Sequence, residues 1–402
     1  MLQKIVKGAI NDKMEIRFGT DKDKEAIKDM IMYCFSRTER YAQFFVENIF
    51  KAENCIGCYD GERLGAALHI HPFEMFFYGK TVPMGGIGSV ATLPEYRHCH
   101  CASRMLIEAL KIMRDRGDVF SGLAPFSFAF YRKYGWEMAF HKKEYHLLME
   151  DLKGFGTGKG NFKPLDFADI PRLAKVYESF ARSYNGAICR NDENWELVLK
   201  KHERDGLYRY GYEDESGELR GYIFYRLEDK KFHINELIYS EPRVKGELLR
   251  FVYYHSAQAD EVIWQAPADD NTFLMLDNPR REQRIIPGMM IRAVDVRKLL
   301  EMCPFPQEYS GSFTIVVDDP WAQWNDSTFK LDIEEGHVQV KDIGKKPGDI
   351  QGSIQCLSQM LFGYTGIKEA VETGKIEVKD LKLYENLQHI FKGTTTFVND
   401  TY

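Results

Sequence analysis

Apolar residues recur along the chain either at every second position, as in strands, or three to four positions apart, as in helices. The two patterns alternate in the first third of the sequence, which indicates a mixed α/β sheet flanked by helices. The predicted elements there are a strand at Met14–Phe18, a helix around Ile27–Cys34, a hairpin of Cys55–Tyr59 and Leu64–Phe77, a strand at Ile87–Leu93, a helix at Ser103–Arg116, a strand at Gly122–Pro125 and a short helix at Phe128–Tyr134.

A second block, from about Pro164 to Glu301, repeats this order of elements. Its predicted elements are a helix at Asp166–Ser183, a hairpin of Tyr208–Tyr212 and Gly221–Arg226, a strand at His233–Tyr239 and a helix from about Gly246 to Ala257. We interpret the block as a degenerate duplicate of the first, since the two hairpin turns also match in sequence. Any two hairpins look alike to some degree, so chance similarity is the alternative.

The third block, from about Pro304 to the end, has an α+β pattern. Its predicted elements are strands at Phe313–Asp318 and Thr328–Glu334 and helices near Ser353–Leu361 and Ile367–Thr373. The predicted domains are therefore residues 1–150, 151–302 and 303–402. Because the last residues include Phe397, Val398 and Tyr402, we expect the tail to dock on the protein.

Bulk composition narrows the functional classes. A chain of 402 residues with 44% apolar and 28% charged residues is typical of a globular protein with several domains. Its formal net charge of −6 disfavours nucleic-acid binding and mildly favours cationic small molecules. No apolar run approaches the ~20 residues that span a bilayer, and eight cysteines are too few for a disulfide scaffold. We therefore expect a soluble cytoplasmic protein with free thiols and no membrane contact.

The segment Val90–Leu106 carries the clearest chemical signal. A strand ends at Pro94, and a helix begins near Ala102 after a short loop. The N–H groups at the start of such a helix, together with the helix dipole, form a site suited to pyrophosphate. Arg97 in the loop is placed to add a cationic contact.

This segment resembles motif A of the GNAT acetyltransferase superfamily, which binds the pyrophosphate of acetyl-CoA. The run Phe130–Glu137, with the sequence FYRKYGWE, is similar to motif B of the same superfamily. The resemblance implies an acetyl-CoA-dependent N-acetyltransferase with GNAT-type sheets in tandem. The residues that it places around the coenzyme are Val90, Ala91, Thr92, Arg97, His98, His100, Cys101, Ala102 and Ser103.

Nearly the whole chain is similar to the enhanced intracellular survival (Eis) family, which combines two GNAT domains with a C-terminal domain of the sterol-carrier-protein type. The run Phe313–Pro320 and the aromatic tail carry the similarity outside the first two blocks. The resemblance implies acetyl transfer to the primary amine of a cationic small molecule, such as an aminoglycoside or a polyamine. It also implies a homo-oligomer, either a hexamer or a trimer.

The same resemblance suggests catalytic roles in a direct attack of the amine on the thioester. Tyr131 matches the tyrosine that acts as general acid toward the coenzyme A thiolate, and the C-terminal carboxylate of Tyr402 matches the general base. Tyr134, three positions along the same predicted helix, is the alternative acid. The residues implied for acceptor binding are Phe35, Tyr41 and Asp400.

Two features depart from the family pattern. His100 stands where the loop usually has glycine, so its side chain must point away from the phosphates or contact them itself. The run His98–Cys101 suggests a metal site, but adjacent residues rarely complete a tetrahedron, and we expect no bound metal.

Two alternatives to a small-molecule acetyltransferase remain. One is a non-catalytic protein with a decayed coenzyme site that binds a lipid or another apolar ligand, and the other is a transferase for peptide or protein amines.

Overall fold

Three β-sheets with helices packed against them organise residues 14–400, the part of the chain that the computed structural model describes. In chain order the strands are β1 (Met14–Phe18), β2 (Cys55–Asp60), β3 (Arg63–Phe77), β4 (Lys80–Thr92), β5 (Phe120–Leu123), β6 (Glu137–Met138), β7 (His141–Leu148), β8 (Asn161–Pro164), β9 (Tyr208–Glu213), β10 (Leu219–Glu228), β11 (Lys231–Tyr239), β12 (Glu261–Pro267), β13 (Glu282–Pro287), β14 (Met290–Ala293), β15 (Gly311–Asp318), β16 (Thr328–Glu334), β17 (His337–Asp342), β18 (Ile350–Ser353) and β19 (Ile376–Val378). The α-helices are α1 (Lys24–Phe35), α2 (Glu39–Asn48), α3 (Cys101–Arg116), α4 (Phe128–Arg132), α5 (Ile170–Ala181), α6 (Asp192–Asp205), α7 (Pro242–Tyr253), α8 (Val296–Met302), α9 (Ile354–Phe362), α10 (Ile367–Glu372) and α11 (Leu381–Ile390). None of the helices within residues 14–400 is long and apolar enough to cross a lipid bilayer.

The first sheet has the strand order β1-β2-β3-β4-β5-β14-β6, in which β4 and β5 are parallel. Its strands alternate their side chains between two covered faces: Cys55 and Tyr59 of β2 pack with α1 and α2, whereas Ile56 and Cys58 pack with α3. Because both faces are covered, β2 and β3 are buried along most of their length. The alternation also directs the thiols of Cys55 and Cys58 to different sides of the sheet.

The second sheet repeats this plan. Its strand order is β13-β7-β12-β11-β10-β9-β8, with β11 parallel to β12. Helices α5 and α6 cover one face, and α7 covers the other. Two mixed sheets flanked by helices, followed by a smaller α+β domain, confirm the predicted fold class.

Two strands cross between the sheets. Strand β7, which precedes the predicted boundary at residue 150, lies in the second sheet between β13 and β12. Strand β14, from the second block, lies in the first sheet between β5 and β6. The predicted division into 1–150 and 151–302 therefore does not separate the two sheets, because the chain leaves the first sheet after Met138 and returns to it at Met290.

The third sheet, of order β17-β16-β15-β18-β19, belongs to the last domain, and its helix α9 packs against β14. At this contact Arg292 of β14 and Asp319 form a fully buried ion pair, with both carboxylate oxygens 2.9 Å from one guanidinium nitrogen. Gly135 has a φ of +97° beside this pair, and a Cβ atom there would lie 1.9 Å from the Arg292 guanidinium. Glycine is therefore required at this position on both counts.

The tail lies between the two mixed sheets. Thr396 forms a bridge with Asn185, and its hydroxyl donates to the Ala139 carbonyl at 2.8 Å. Phe397 packs its ring against Phe180 of α5. The expected docking of the tail is thus observed as far as Asp400, the last described residue.

Replacing Arg292 by Ala should destabilise the protein, because the Asp319 carboxylate would stay buried without its cation. The expected loss in the free energy of unfolding is about 3–5 kcal/mol, measured by urea denaturation. The control is Arg297→Ala, which removes a solvent-exposed pair with Glu301 and should cost less than about 1 kcal/mol. Equal losses for the two variants would contradict a structural role for the buried pair.

Candidate active site

The first sheet opens where β4 and β5 part. The two strands pair in parallel as far as Ile87 with Leu123, and their ladder ends there among the described residues. Strand β4 continues to Thr92, so its edge from Gly88 onward faces a gap instead of a neighbouring strand. A free strand edge of this kind presents backbone N–H and C=O groups to a ligand.

A β-bulge lies at this gap. Ser89 and Val90 of β4 together oppose the single residue Leu68 of β3. Ser89 accordingly has a positive φ of 51°, and the extra residue locally disrupts the ladder. The bulge therefore leaves backbone groups without a partner on β3, at the point where the gap begins.

The end of β4 turns its backbone toward the gap. Alternate residues of a strand direct their backbone groups to opposite edges, and the Leu93 N–H donates to a β3 carbonyl. Counting back from Leu93, the backbone groups of Ala91 point to β3, and those of Thr92 and Val90 point to the gap. The Thr92 carbonyl accepts a hydrogen bond from the Cys34 thiol of α1 at 3.6 Å. A ligand in the gap would therefore share this acceptor with α1.

The start of α3 provides an anion site. His100 precedes the helix with φ 55° and ψ 22°, the left-handed conformation that glycine adopts readily and that histidine tolerates better than most residues. The first helical N–H bond is donated by Arg104 to the His100 carbonyl. The N–H groups of Cys101, Ala102 and Ser103 precede it and have no acceptor within the helix, so they are suited to bind an anion.

The side chains around this helix start differ in their availability. Arg97 and His98 are exposed, and both can approach a bound anion. The buried Ser103 hydroxyl is hydrogen-bonded to the Tyr134 hydroxyl.

The thiol of Cys101 is buried as well. A hydrogen bond with the buried thiol of Cys58 on β2 lowers the pKa of Cys101. Within residues 14–400, no group of three or more His, Cys, Asp or Glu side chains is arranged to hold a metal ion.

Tyr131 borders a cavity at the gap. It lies on α4, whose N-cap Ser127 accepts the N–H of Phe130 at 3.3 Å. The Tyr131 ring packs against Phe126 and Phe130 and is only 3% exposed. Burial raises the pKa of the Tyr131 phenol, so the group remains a protonated hydrogen-bond donor at neutral pH.

Tyr134, the alternative acid, has a different environment. Its hydroxyl is held by Ser103, and its ring centroid lies 5.5 Å from that of Trp321 in the last domain. It is not among the residues that line the cavity. Of the two tyrosines, Tyr131 is the one that faces the cavity.

The cavity, of about 850 Å³, lies between the two mixed sheets. It brings together residues predicted for coenzyme binding, for catalysis and for acceptor binding, namely Val90, Tyr131, Phe35, Tyr41 and Asp400. The other predicted coenzyme residues lie along the end of β4 and the start of α3. Tyr402, the predicted base, lies outside the described residues.

A buried ion-pair network around Arg190 holds the tail in this cavity. The Arg190 guanidinium binds the two oxygens of Glu236 at 2.9 and 2.7 Å and Asp400 at 2.9 Å. Asn399 also donates to Glu236 at 2.7 Å. Although burial acts to raise the pKa of Glu236, the charge and hydrogen bonds of Arg190 lower it to about 2. Glu236 therefore stays ionised at neutral pH.

Sequence patterns do not reveal the charged lining of the cavity, which comes mainly from the second sheet and α6. The lining cations are Arg37, Lys142, Arg190, Lys201, Arg204 and Arg226, and the lining carboxylates are Asp205, Glu236 and Asp400. Among residues 14–400, cations therefore outnumber carboxylates in the lining of the cavity. The acidic net charge of the chain does not predict this cationic lining, since that charge is distributed over the whole protein.

Three domain families match the chain in sequence. Residues 15–139 match an acetyltransferase (GNAT) domain, residues 186–297 match a second acetyltransferase (GNAT) domain, and residues 296–399 match a sterol carrier protein domain. The chain thus contains two GNAT domains and a sterol-carrier-like domain. It is an N-acetyltransferase of the GNAT type, a class that uses acetyl-CoA as co-substrate.

Similar proteins agree with this assignment. An uncharacterized N-acetyltransferase of Streptomyces avermitilis is 25% identical over 291 residues, which cover 65% of this chain and 68% of the relative. A probable N-acyltransferase from Enterococcus faecalis has a similar structure, with a TM-score of 0.87 at 23% identity over 97% of this chain and 99% of that one. Eis1 from Mycobacterium abscessus gives a TM-score of 0.80 at 18% identity, over 96% and 100% of the two chains. At these identities the solved structures establish the shared fold.

The stability of the protein should fall as the pH drops from 6.5 to 4, in part through His202. Burial lowers the pKa of this cavity-lining histidine from 6.5 to about 4. Between these values the unfolded chain binds a proton that the folded chain does not, so protonation favours unfolding. We expect a contribution of up to about 3 kcal/mol, measured by urea unfolding at a series of pH values.

The variant His202→Gln should flatten this part of the pH–stability curve. The matched control is His337→Gln at an exposed position, which should leave the curve unchanged. A His202→Gln curve parallel to that of the wild type would show that this histidine is protonated at the same pH in both states.

Proposed function

We propose that this acetyltransferase moves the acetyl group of acetyl-CoA to a primary amine of a small molecule bound in the cavity between the two mixed sheets. The observation that carries the proposal is the joint position on one cavity of Tyr131, the bulge at Ser89 and Val90, and Asp400 of the tail. Acetyl-CoA would supply an activated acetyl thioester and a thiolate leaving group. The remaining chemistry falls to groups of the chain itself.

The residues around the gap fit this co-substrate in their chemistry. The Val90 backbone is suited to pair with the amide groups of the pantetheine arm, as a neighbouring strand would. The N–H groups at the start of α3, together with Arg97, are suited to the pyrophosphate. The left-handed conformation of His100 supports a working loop over a decayed one, because the residue takes the backbone geometry that glycine would supply.

Tyr131 is proposed as the general acid. Its buried phenol stays protonated and faces the cavity, so it can donate its proton to the sulfur as the carbon–sulfur bond breaks. Such a donor stabilises charge only as that charge develops, which accelerates the reaction without tightening the binding of the co-substrate. The hydroxyl of Tyr134 is already held by Ser103, which favours Tyr131 over it.

The C-terminal carboxylate of Tyr402 is proposed as the general base. The tail carries Asp400 into the cavity, and Tyr402 follows two residues later in the sequence. A carboxylate there, or a water that it orients, can accept the proton that the ammonium of the acceptor must lose before attack. Asp400 is less suited to this role, because one of its carboxylate oxygens is already bound to Arg190 at 2.9 Å.

The variant Tyr131→Phe should lower kcat by about 100-fold or more and leave the affinity for acetyl-CoA unchanged. Affinity would be measured by calorimetric titration and turnover by release of free thiol with a panel of amines. The control is Tyr134→Phe, which removes a hydroxyl outside the cavity and should retain most of the activity. An unchanged kcat for Tyr131→Phe would exclude the acid role. Failure of the wild type to bind acetyl-CoA at millimolar concentration would instead favour the apolar-ligand-binding alternative.

A short Gly-Ser peptide fused behind Tyr402 should reduce kcat by about 100-fold, because it converts the terminal carboxylate into an amide. The melting temperature and the acetyl-CoA affinity should stay those of the wild type. The same peptide fused to the N-terminus serves as the control. Full activity of the extended protein would remove the tail carboxylate from the mechanism.

A further inference from the structure

We infer that the acceptor is a small amine that also carries an oxyanion, a carboxylate or a phosphate, on the same molecule. The inference rests on the proposed function, because it takes the cavity between the two mixed sheets as the acceptor site. It arises from the charges of the cavity wall, which differ from those that a polyamine or an aminoglycoside would require.

The three carboxylates that line the cavity within residues 14–400 already have cationic partners. Glu236 and Asp400 both bind the guanidinium of Arg190, at distances of 2.7 to 2.9 Å. Asp205 binds two nitrogens of Arg204, both at 2.8 Å. A polycation would therefore have to compete for these ion pairs, and separating the buried pairs of Arg190 is unfavourable.

One corner of the cavity nevertheless suits a single ammonium group. Asp400 binds the guanidinium of Arg190 through one carboxylate oxygen, Oδ1. The Tyr177 hydroxyl lies 3.4 Å from the second oxygen of Asp400, a long contact that leaves this oxygen able to accept a further hydrogen bond. The amine of the acceptor is expected at this corner.

The rest of the wall is cationic. Among residues 14–400, six cationic side chains and three carboxylates line the cavity, and one of these cations, Arg226, is paired with Glu228 at 3.3 Å. Lys142 donates to the amide oxygen of Asn399 at 2.9 Å instead of to a carboxylate. Arg37 forms no ion pair with a carboxylate of the part of the chain described here. A guanidinium without a partner carboxylate, such as that of Arg37, attracts an oxyanion.

Two arginines of this wall are held on one aromatic ring. The guanidinium carbon of Arg37 lies 4.8 Å from the ring centroid of Tyr41, and that of Arg204 lies 4.5 Å from it. Arg204 is held further by the Phe44 ring and by Asp205. Its Nη1 is nevertheless buried without a hydrogen-bond partner among residues 14–400. Fixed guanidinium groups with unused N–H donors are well suited to the recognition of carboxylates and phosphates.

The cavity is thus complementary to a molecule with opposite charges at two places. An amine that carries an oxyanion matches both the corner at Asp400 and the arginines at Tyr41, whereas a polyamine matches only the corner. The volume of about 850 Å³ must also hold the reactive arm of acetyl-CoA, so the acceptor itself is small.

Matched pairs of amines test the inference. δ-Aminovalerate is compared with cadaverine, and phosphoethanolamine with ethylenediamine, because the members of each pair are similar in length and differ in the charge at one end. We expect kcat/KM to be about tenfold or more higher for the oxyanion member of at least one pair. A larger ratio of kcat/KM values in the δ-aminovalerate pair indicates a carboxylate, and a larger ratio in the phosphoethanolamine pair indicates a phosphate. The same amines are titrated calorimetrically with coenzyme A bound, so that their relative affinities are measured even for a poor acceptor.

Charge variants locate the oxyanion site. The variant Arg37→Glu should abolish or reverse the preference, and Arg204→Gln should weaken it. The matched control is Arg40→Glu, an exposed position one turn along on α2 that does not line the cavity, and it should keep the preference. Unchanged acetyl-CoA affinity in each variant shows that the fold is intact.

The outcomes separate this inference from the proposed function. Equal use of both members, or preference for the diamine in both pairs, overturns the oxyanion inference and leaves acetyl transfer standing. Tighter binding of the oxyanion members without acetylation of any amine supports the inference and contradicts the proposed reaction. A preference that neither Arg37→Glu nor Arg204→Gln changes overturns the assignment to this wall.

Discussion

The buried ion-pair network around Arg190 is the interaction on which the cavity depends. The Arg190 side chain is only 1% exposed, so Glu236 of β11 and Asp400 of the tail must balance its charge. Asn399 joins the same network, and Lys142 of β7 reaches it at 2.9 Å. Removing any one of these charges would leave another buried without its partner. The path of the tail, and with it one wall of the cavity, is therefore fixed by electrostatics as much as by apolar packing.

The two mixed sheets use one structural device in two ways. In each sheet a parallel pair of strands ends early beside a β-bulge, which lies at Ser89 and Val90 in the first sheet and at Asn235 in the second. The gap in the first sheet opens into the cavity. In the second sheet Asn399 of the tail donates to the Asn235 carbonyl at 3.2 Å. The second domain therefore binds the tail at the gap in its sheet, whereas the first domain leaves the corresponding gap open to a ligand.

The sequence predicts the fold class and the first-domain half of the site, because both follow from local patterns. Periodicity marks the strands and helices, and two short motifs bring Val90 and Tyr131 to one cavity. The second-domain half cannot be found in this way: Arg190 and Arg204 belong to segments without a motif and reach the cavity only through packing between domains. The crossing of β7 and β14 is equally hidden, since a period of two shows that a segment is a strand and not which sheet it joins. His100 looks disruptive in the sequence because its positive φ is visible only in the structure.

The crossing of β7 and β14 changes how the two GNAT domains can fold. The first sheet is complete only when β14 pairs with β5 and β6 across the whole intervening domain, and closing so long a loop is entropically unfavourable until the pairing forms. The first sheet therefore cannot be completed during synthesis until the strands of the second sheet and then β14 have left the ribosome. The two GNAT domains therefore form one cooperative unit, because deleting either domain would remove a strand from the sheet of the other.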